Sequence, residues 1–235
     1  MGHHAAIYGL DIETDTTEDG LDPAVASVRA VALSGATFDE LFVGDEHDIL
    51  RSLDRQLATL QPGVVATWNG SAFDLPFLAD RARILGIDLG LKLCLDRRLT
   101  LHRSPLPGHA GAYRASWYEH GHLDTFRIYG SSQSAAQRLS LRSLRRLVGF
   151  GEQSVHPART QTLCNEALHA CAPSDARLAR ILAERRWPAA ARMIDRVEPT
   201  EAQPVAVAAQ RLARQVRTVP STTVPGNMGP VVASY

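Results

Sequence analysis

The sequence predicts an α/β layered domain built on a mixed sheet, and three observations carry that reading. Three apolar segments of strand length follow one another before residue 45, which implies an antiparallel start. Beyond it, apolar residues recur at helical spacing in stretches that alternate with further strand-like runs. The 235 residues are 45% apolar and 21% charged, a balance that supports one folded domain with a tail and excludes a wholly disordered, collagenous or fibrous chain.

Taken in order, Ala5 to Leu10 reads as a buried strand ending in Asp11-Ile12-Glu13, and a turn-rich stretch runs from Thr14 to Pro23. Residues Ser27 to Ser34 and Thr37 to Val43 read as two strands separated by Gly35-Ala36 at hairpin spacing. Ile49, Leu50, Leu53, Leu57 and Leu60 mark a helix between Asp45 and Leu60, which Gln61-Pro62-Gly63 stops. Val64 to Trp68 is another strand, and Asn69-Gly70-Ser71 leads into a helix from about Phe73 to Leu85, ended by Gly86. Residues 96 to 117 read as loop, being rich in Pro, Gly and His. A short strand over His122 to Thr125 precedes helical patches at Phe126 to Tyr129 and Leu139 to Val148. The last strong helix is expected to begin near Pro173-Ser174, with Leu178, Ile181 and Leu182 on one stripe. We read residues 1–196 as the domain and 197–235 as a C-terminal extension, a marginal helix over 199–217 followed by a disordered tail.

No run approaches 18 apolar residues, and the opening MGHHAAIYGLDIET passes straight into acids, so neither a membrane span nor a secretory leader is expected. Cys94, Cys164 and Cys171 form no C-x-x-C pair; with no disulfide framework or cysteine zinc site suggested, the expected location is the reducing cytoplasm. Cys164 and Cys171 read as apolar filler. His102, His109, His120 and His122 match no zinc spacing and read as solvated.

A net charge of zero hides a division. Residues 1–80 hold 14 Asp and Glu against 3 Arg, whereas residues 81–235 hold 22 Lys and Arg against 11 Asp and Glu. Cation binding in the first part and phosphate contacts in the second would account for this, as would plain surface segregation. Arg138, Arg142, Arg145 and Arg146, and Arg177, Arg180, Arg185 and Arg186, make two basic helical faces open to the same two readings.

Four acidic residues, at three places in the chain, stand out. Asp11 and Glu13 are two apart on a strand and so leave the same face, where close like charges call for a cation. Carboxylate oxygens suit Mg²⁺ or Mn²⁺. Asp74 opens a helix among Phe73, Leu75, Phe77 and Leu78, surroundings in which an unpaired carboxylate is costly. Asp175 precedes Leu178 and Leu182 by three and seven residues, on the apolar stripe of its helix.

Asp11-Ile12-Glu13-Thr14 resembles the first motif of the DEDD superfamily of 3′-5′ exonucleases. Residues 69 to 78, Asn-x-x-x-Phe-Asp-Leu-Pro-Phe-Leu, with Arg81 beyond, resemble the second motif as found in proofreading domains of family B DNA polymerases and related stand-alone exonucleases. His122-Leu123-Asp124-Thr125-Phe126 and Leu139 to Gly149 look like the supporting strand and helix that follow there.

The resemblance covers roughly residues 5–190 and implies a ribonuclease H-like fold, a three-layer mixed sheet flanked by helices. It also implies a two-ion Mg²⁺ or Mn²⁺ site held by Asp11, Glu13, Asp74 and Asp175, the four residues that match its catalytic acids. Two ions about 4 Å apart activate a water and neutralise the leaving 3′ oxygen, releasing nucleoside 5′-monophosphates. Thr14, Asn69 and Phe73 match positions that contact the strand end, and Asp124 matches a buried supporting acid. The implied substrate is the 3′ end of single-stranded or frayed DNA, slightly preferred, or RNA.

The third motif departs from the pattern. Family members place a Tyr four residues, or a His five residues, before the last Asp; here those positions are Cys171 and Ala170. His169, six before Asp175, and the loop residue His156 are the remaining candidates to handle the water. Metal ions alone can activate water, so the departure predicts a slower enzyme. Two alternatives stand beside it: a catalytically impaired nucleic-acid-binding module that keeps the metal site, and an RNA-trimming exoribonuclease.

Overall fold

The computed structural model describes residues 5–17, 19–99, 106–130, 165–198 and 200–202, with only the backbone of residues 165–172. In chain order the elements are β1 (Ala6–Thr14), β2 (Val28–Ser34), β3 (Asp39–Val43), α1 (Glu46–Thr59), β4 (Gly63–Thr67), α2 (Asp74–Leu85), β5 (Leu91–Leu95), β6 (Tyr113–Trp117), β7 (His120–Asp124), α3 (Phe126–Tyr129), α4 (Asn165–Arg185) and α5 (Trp187–Ala190). The strands form one sheet in the order β3-β2-β1-β4-β7-β6-β5. β1, β4 and β7 are parallel at its centre, and antiparallel strands complete both sides.

Alternation along β1 divides the layers. Tyr8, Leu10 and Ile12 join Ile49, Leu50, Leu53 and Leu57 of α1 and Leu75, Phe77 and Leu78 of α2 in the main core. Each such side chain stabilises the fold by about 1.5–3 kcal/mol through lost contact with water. On the opposite face, Ala176 of α4 packs on Ala32, and Ala183 meets Val64, Ala66 and Leu123. The result is the helix–sheet–helix sandwich expected of an α/β chain.

Local signals explain the helix ends. Asp45 caps α1 by accepting the His47 N–H at 3.0 Å, with Glu46 and Asp48 in the positive first turn. Gly86 closes α2 at φ 67°, a conformation that costs glycine little.

Four expectations are corrected. β6 lies inside the stretch read as loop, and β5 was not foreseen; both alternate, but over only five residues each, a signal too short to outweigh the loop composition around them. α4 begins at Asn165 and runs through Pro173. Its downstream half, with Ala176, Leu178, Ala179, Leu182 and Ala183 all buried, supplies packing that overrides the proline's local cost. His109, His120 and His122 are buried and hydrogen-bonded, not solvated.

Ser116 Oγ donates to the Val197 carbonyl at 3.2 Å and Arg114 pairs with Glu201 at 3.2 Å, so Val197 and Glu201 lie beside β6. Apart from 200–202, the expected helix and tail over 199–235 lie outside the described residues, as do Leu139 to Val148, Arg138, Arg142, Arg145, Arg146, His102, His156 and Cys164. No described helix is long and apolar enough to cross a membrane.

Candidate active site

Asp11 and Glu13 leave β1 on the face that Gly9 gives to α4. That approach is so close that a β-carbon on Gly9 would lie 1.8 Å from the Ala176 carbonyl oxygen and 3.0 Å from the Arg180 nitrogen. Asp11 is the register partner of Ala32, which packs on Ala176. Asp175, half-buried, immediately precedes Ala176, the residue of α4 that meets Gly9 and Ala32. Asp11, Glu13 and Asp175 each have interacting neighbours.

Asp74 arrives from the other side of the sheet. Pairing of β1 with β4 stops at Gly9 and Ala66. Beyond that point the Ile12 N–H is bonded by the Asp74 carboxyl, which also takes its own backbone N–H. The side chain is 5% exposed. Burial first, then the charges of Asp124 and Glu13, pushes this carboxyl up to about 7, against the pull of the two N–H groups.

The turn before Asp74 is held from below by β7. Asp124 Oδ1 accepts the N–H of Asn69 at 2.8 Å and of Phe126 at 3.0 Å, and Oδ2 accepts that of Ser71 at 3.2 Å. Thr125 donates through N–H and hydroxyl to the Thr67 carbonyl at 2.9 and 2.6 Å, and Tyr113 N–H donates to the Ser71 carbonyl at 2.8 Å. These bonds support Asn69 at φ 66°. Burial raises the Asp124 carboxyl although three N–H groups pull it the other way. Next to it, the Thr67 hydroxyl meets His122 Nε2 at 2.9 Å, and burial together with the charge of Arg127 drives His122 down to about 3, leaving it neutral.

The predicted strand contacts are placed unevenly. Asn69 sits in the turn, half-buried. Phe73 is half-buried too, its ring 5.5 Å from that of Phe77 and packed against the core. The Thr14 hydroxyl donates to the Gly20 carbonyl at 2.7 Å. Arg81 bonds Glu46 through Nε and NH2 at 2.8 and 2.6 Å and the Pro23 carbonyl at 2.8 Å, tying the β1–β2 loop to α2.

Three arginines of the second basic face make contacts within the fold. Arg177 pairs with Asp39, Arg180 with Glu184 at 2.5 Å, and Arg186 lies over the Tyr129 ring at 5.1 Å. Cys171, Ala170 and His169 fall within the first two turns of α4, their side chains outside the described residues. Among the described residues, three carboxylate or imidazole groups do draw their ligand atoms within 4.8 Å of one another at Asp45, His47 and Asp48. That trio is the cap and first turn of α1 and is not the predicted set.

The family model described as DNA polymerase family B, exonuclease domain, matches residues 12–130. The chain belongs to this exonuclease-domain family. A curated relative, DNA polymerase 2 of Aeropyrum pernix, is 29% identical over 114 residues, which are 47% of this chain and 13% of that protein. The solved structure of the family B DNA polymerase from Pyrobaculum calidifontis superposes at a TM-score of 0.60 with 20% identity, covering 78% of this chain and 25% of the other. The chain thus spans a small part of each polymerase, and the second likeness is one of fold.

In this exonuclease-domain setting the donor set is all oxygen. The Asp74 carboxyl lies near enough to Asp124 and Glu13 to feel both charges, although among the described residues no three of Asp11, Glu13, Asp74 and Asp175 draw their ligand atoms within 4.8 Å of one another. A buried carboxyl with acidic neighbours favours a proton or a cation, and hard divalent ions are the cations that carboxylates accept. Asp11, Glu13, Asp74 and Asp175 are the side chains that could hold them.

Proposed function

We propose that this chain is a metal-dependent 3′-5′ exonuclease that removes nucleoside 5′-monophosphates from a single-stranded or frayed 3′ end. The observation that carries the reading is the placing of Asp74, a carboxylate buried at the start of α2 and bonded to the Ile12 N–H between Asp11 and Glu13 of β1. A buried carboxylate beside other acids is costly unless it is paired or holds a cation. The exonuclease-domain family of residues 12–130 supports the same reading.

Asp11, Glu13, Asp74 and Asp175 would hold the divalent ions, Mg²⁺ or Mn²⁺. Bound there, such ions supply an activated water and neutralise charge on the leaving 3′ oxygen. The chain's own contribution is position. Asn69, fixed at φ 66° by Asp124, would present its side chain from a rigid turn to the strand end, with Phe73 and Thr14 as further contacts. DNA is the slightly preferred strand, RNA the other. The catalytic unit in this proposal is residues 1–196, with 197–235 an extension, acting in the cytoplasm.

The rival is a binding module with impaired turnover. It is favoured by Cys171 and Ala170 at the positions where the resemblance places Tyr or His, and by Pro173 inside α4. A time course on 5′-labelled single-stranded DNA and RNA with Mg²⁺, Mn²⁺ or EDTA decides between them. The expected result is a metal-dependent ladder shortening from the 3′ end, absent in Asp11→Ala. Retention of an uncut strand in both metals would establish the module instead.

A further inference from the structure

Trp68 joins the end of β4 to Asn69 and has no part in the preceding scheme. Its indole is half-buried and meets the Phe126 ring edge to face, with centroids 5.2 Å apart and planes at 89°. Phe126 is itself fixed. Its N–H is bonded by Asp124 at 3.0 Å, and its ring covers Gly130, where a β-carbon would come within 2.6 Å. One carboxylate therefore sets both the turn residue Asn69 and the aromatic group that orients the neighbouring indole.

A large aromatic ring with a fixed plane, partly open to solvent and one residue from a strand-end contact, suits one ligand class above others. Nucleobases stack on such rings whatever their sequence, and a ring already held in place loses little freedom on binding. We propose that Trp68 is a stacking platform for a nucleobase of the single-stranded 3′ end, in addition to Asn69 and Phe73. This inference rests on the strand-end reading given above.

The test is binding, measured apart from cleavage. The full chain is titrated in Ca²⁺ with a short 5′-labelled oligodeoxynucleotide, following label anisotropy and indole emission for wild type, Trp68→Ala and Trp68→Phe. A second strand carries abasic residues at its 3′ end. Stacking predicts that Trp68→Ala weakens the normal strand on the order of tenfold or more. Trp68→Phe should retain most of the affinity while losing the emission change, and the abasic strand should bind wild type and Trp68→Ala alike. Equal affinity of wild type and Trp68→Ala for the normal strand would overturn the platform and leave the exonuclease reading standing. An equal loss on both strands would make Trp68 a structural partner of Phe126 and overturn it as well. Failure of wild type to bind any strand would remove the exonuclease reading and this inference together.

Discussion

Asp124 receives the Asn69 N–H at 2.8 Å, and Asn69 is held at φ 66°, so a buried acid on β7 fixes a left-handed residue at the end of β4. The same carboxylate takes two further N–H groups, those of Ser71 and Phe126. Asp124→Ala leaves three donors without their acceptor at a site 2% exposed. Unmet buried donors cost about 1–3 kcal/mol each before relaxation, so a loss of about 3 kcal/mol or more is expected. Urea denaturation checks it, and Asp124→Asn, which keeps one acceptor oxygen, should lose less.

Gly9 is where the helix layer comes closest to the sheet. Gly9→Ala places a β-carbon 1.8 Å from the backbone oxygen of Ala176, a group that cannot swing aside. The expected cost is about 2–3 kcal/mol as α4 is lifted from β1. Since Asp175 rides on α4 next to that contact, cleavage should fall more steeply than stability. Gly111→Ala, whose β-carbon would meet Leu95 Cδ1 at an ordinary 3.4 Å, is the control and should change little. Parallel measurements of denaturation midpoint and cleavage rate check both variants.

Which parts of this arrangement were legible in the sequence follows from the range of each interaction. Asp11, Glu13 and the run around Asp74 announced themselves because strand alternation and an acid among Phe and Leu are local signals. The early strands, α1 and α2 were readable for the same reason. The burial of His109, His120 and His122 was not, because all but one of their side-chain partners, Tyr113, lie far along the chain. His120 bonds Gly63 and Leu57, His122 bonds Thr67, and His109 bridges Asp80 and Tyr113 at 2.8 Å on each side. Nor did the sequence reveal that α4 continues through Pro173. Local cost argued for a helix start there, whereas the contact of Ala176 with Ala32 that outweighs it exists only in the folded sheet.

Acid should act through His122. Its folded value is about 3, below the usual 6.5 or so, because burial and Arg127 oppose its charge. The unfolded chain therefore takes up a proton below about pH 6.5 that the folded protein refuses. Stability from this group is fully present above that pH and is lost as pH falls toward 3, at up to about 1.4 kcal/mol per pH unit. His122→Gln, which keeps a polar partner for Thr67, should flatten that part of the profile. Urea midpoints for both proteins at neutral and mildly acid pH measure the difference.

Asp74 should give metal binding a pH dependence in the same direction, set nearer neutrality. With its carboxyl raised to about 7, the metal-free protein carries a proton there at lower pH, and a divalent ion must displace it. Apparent affinity for Mn²⁺ is therefore expected to rise about tenfold per pH unit as pH increases toward 7, and to level off above. Because an ion that binds only the folded chain stabilises it by about 2.7 kcal/mol at one hundred times its dissociation constant, the shift in melting temperature with Mn²⁺ reports this without any substrate. Asp74→Asn removes both the proton and a ligand, so its Mn²⁺ shift should be small and nearly constant with pH. A wild-type shift that stays flat between pH 5.5 and 8 would show that Asp74 does not take part in holding the ion.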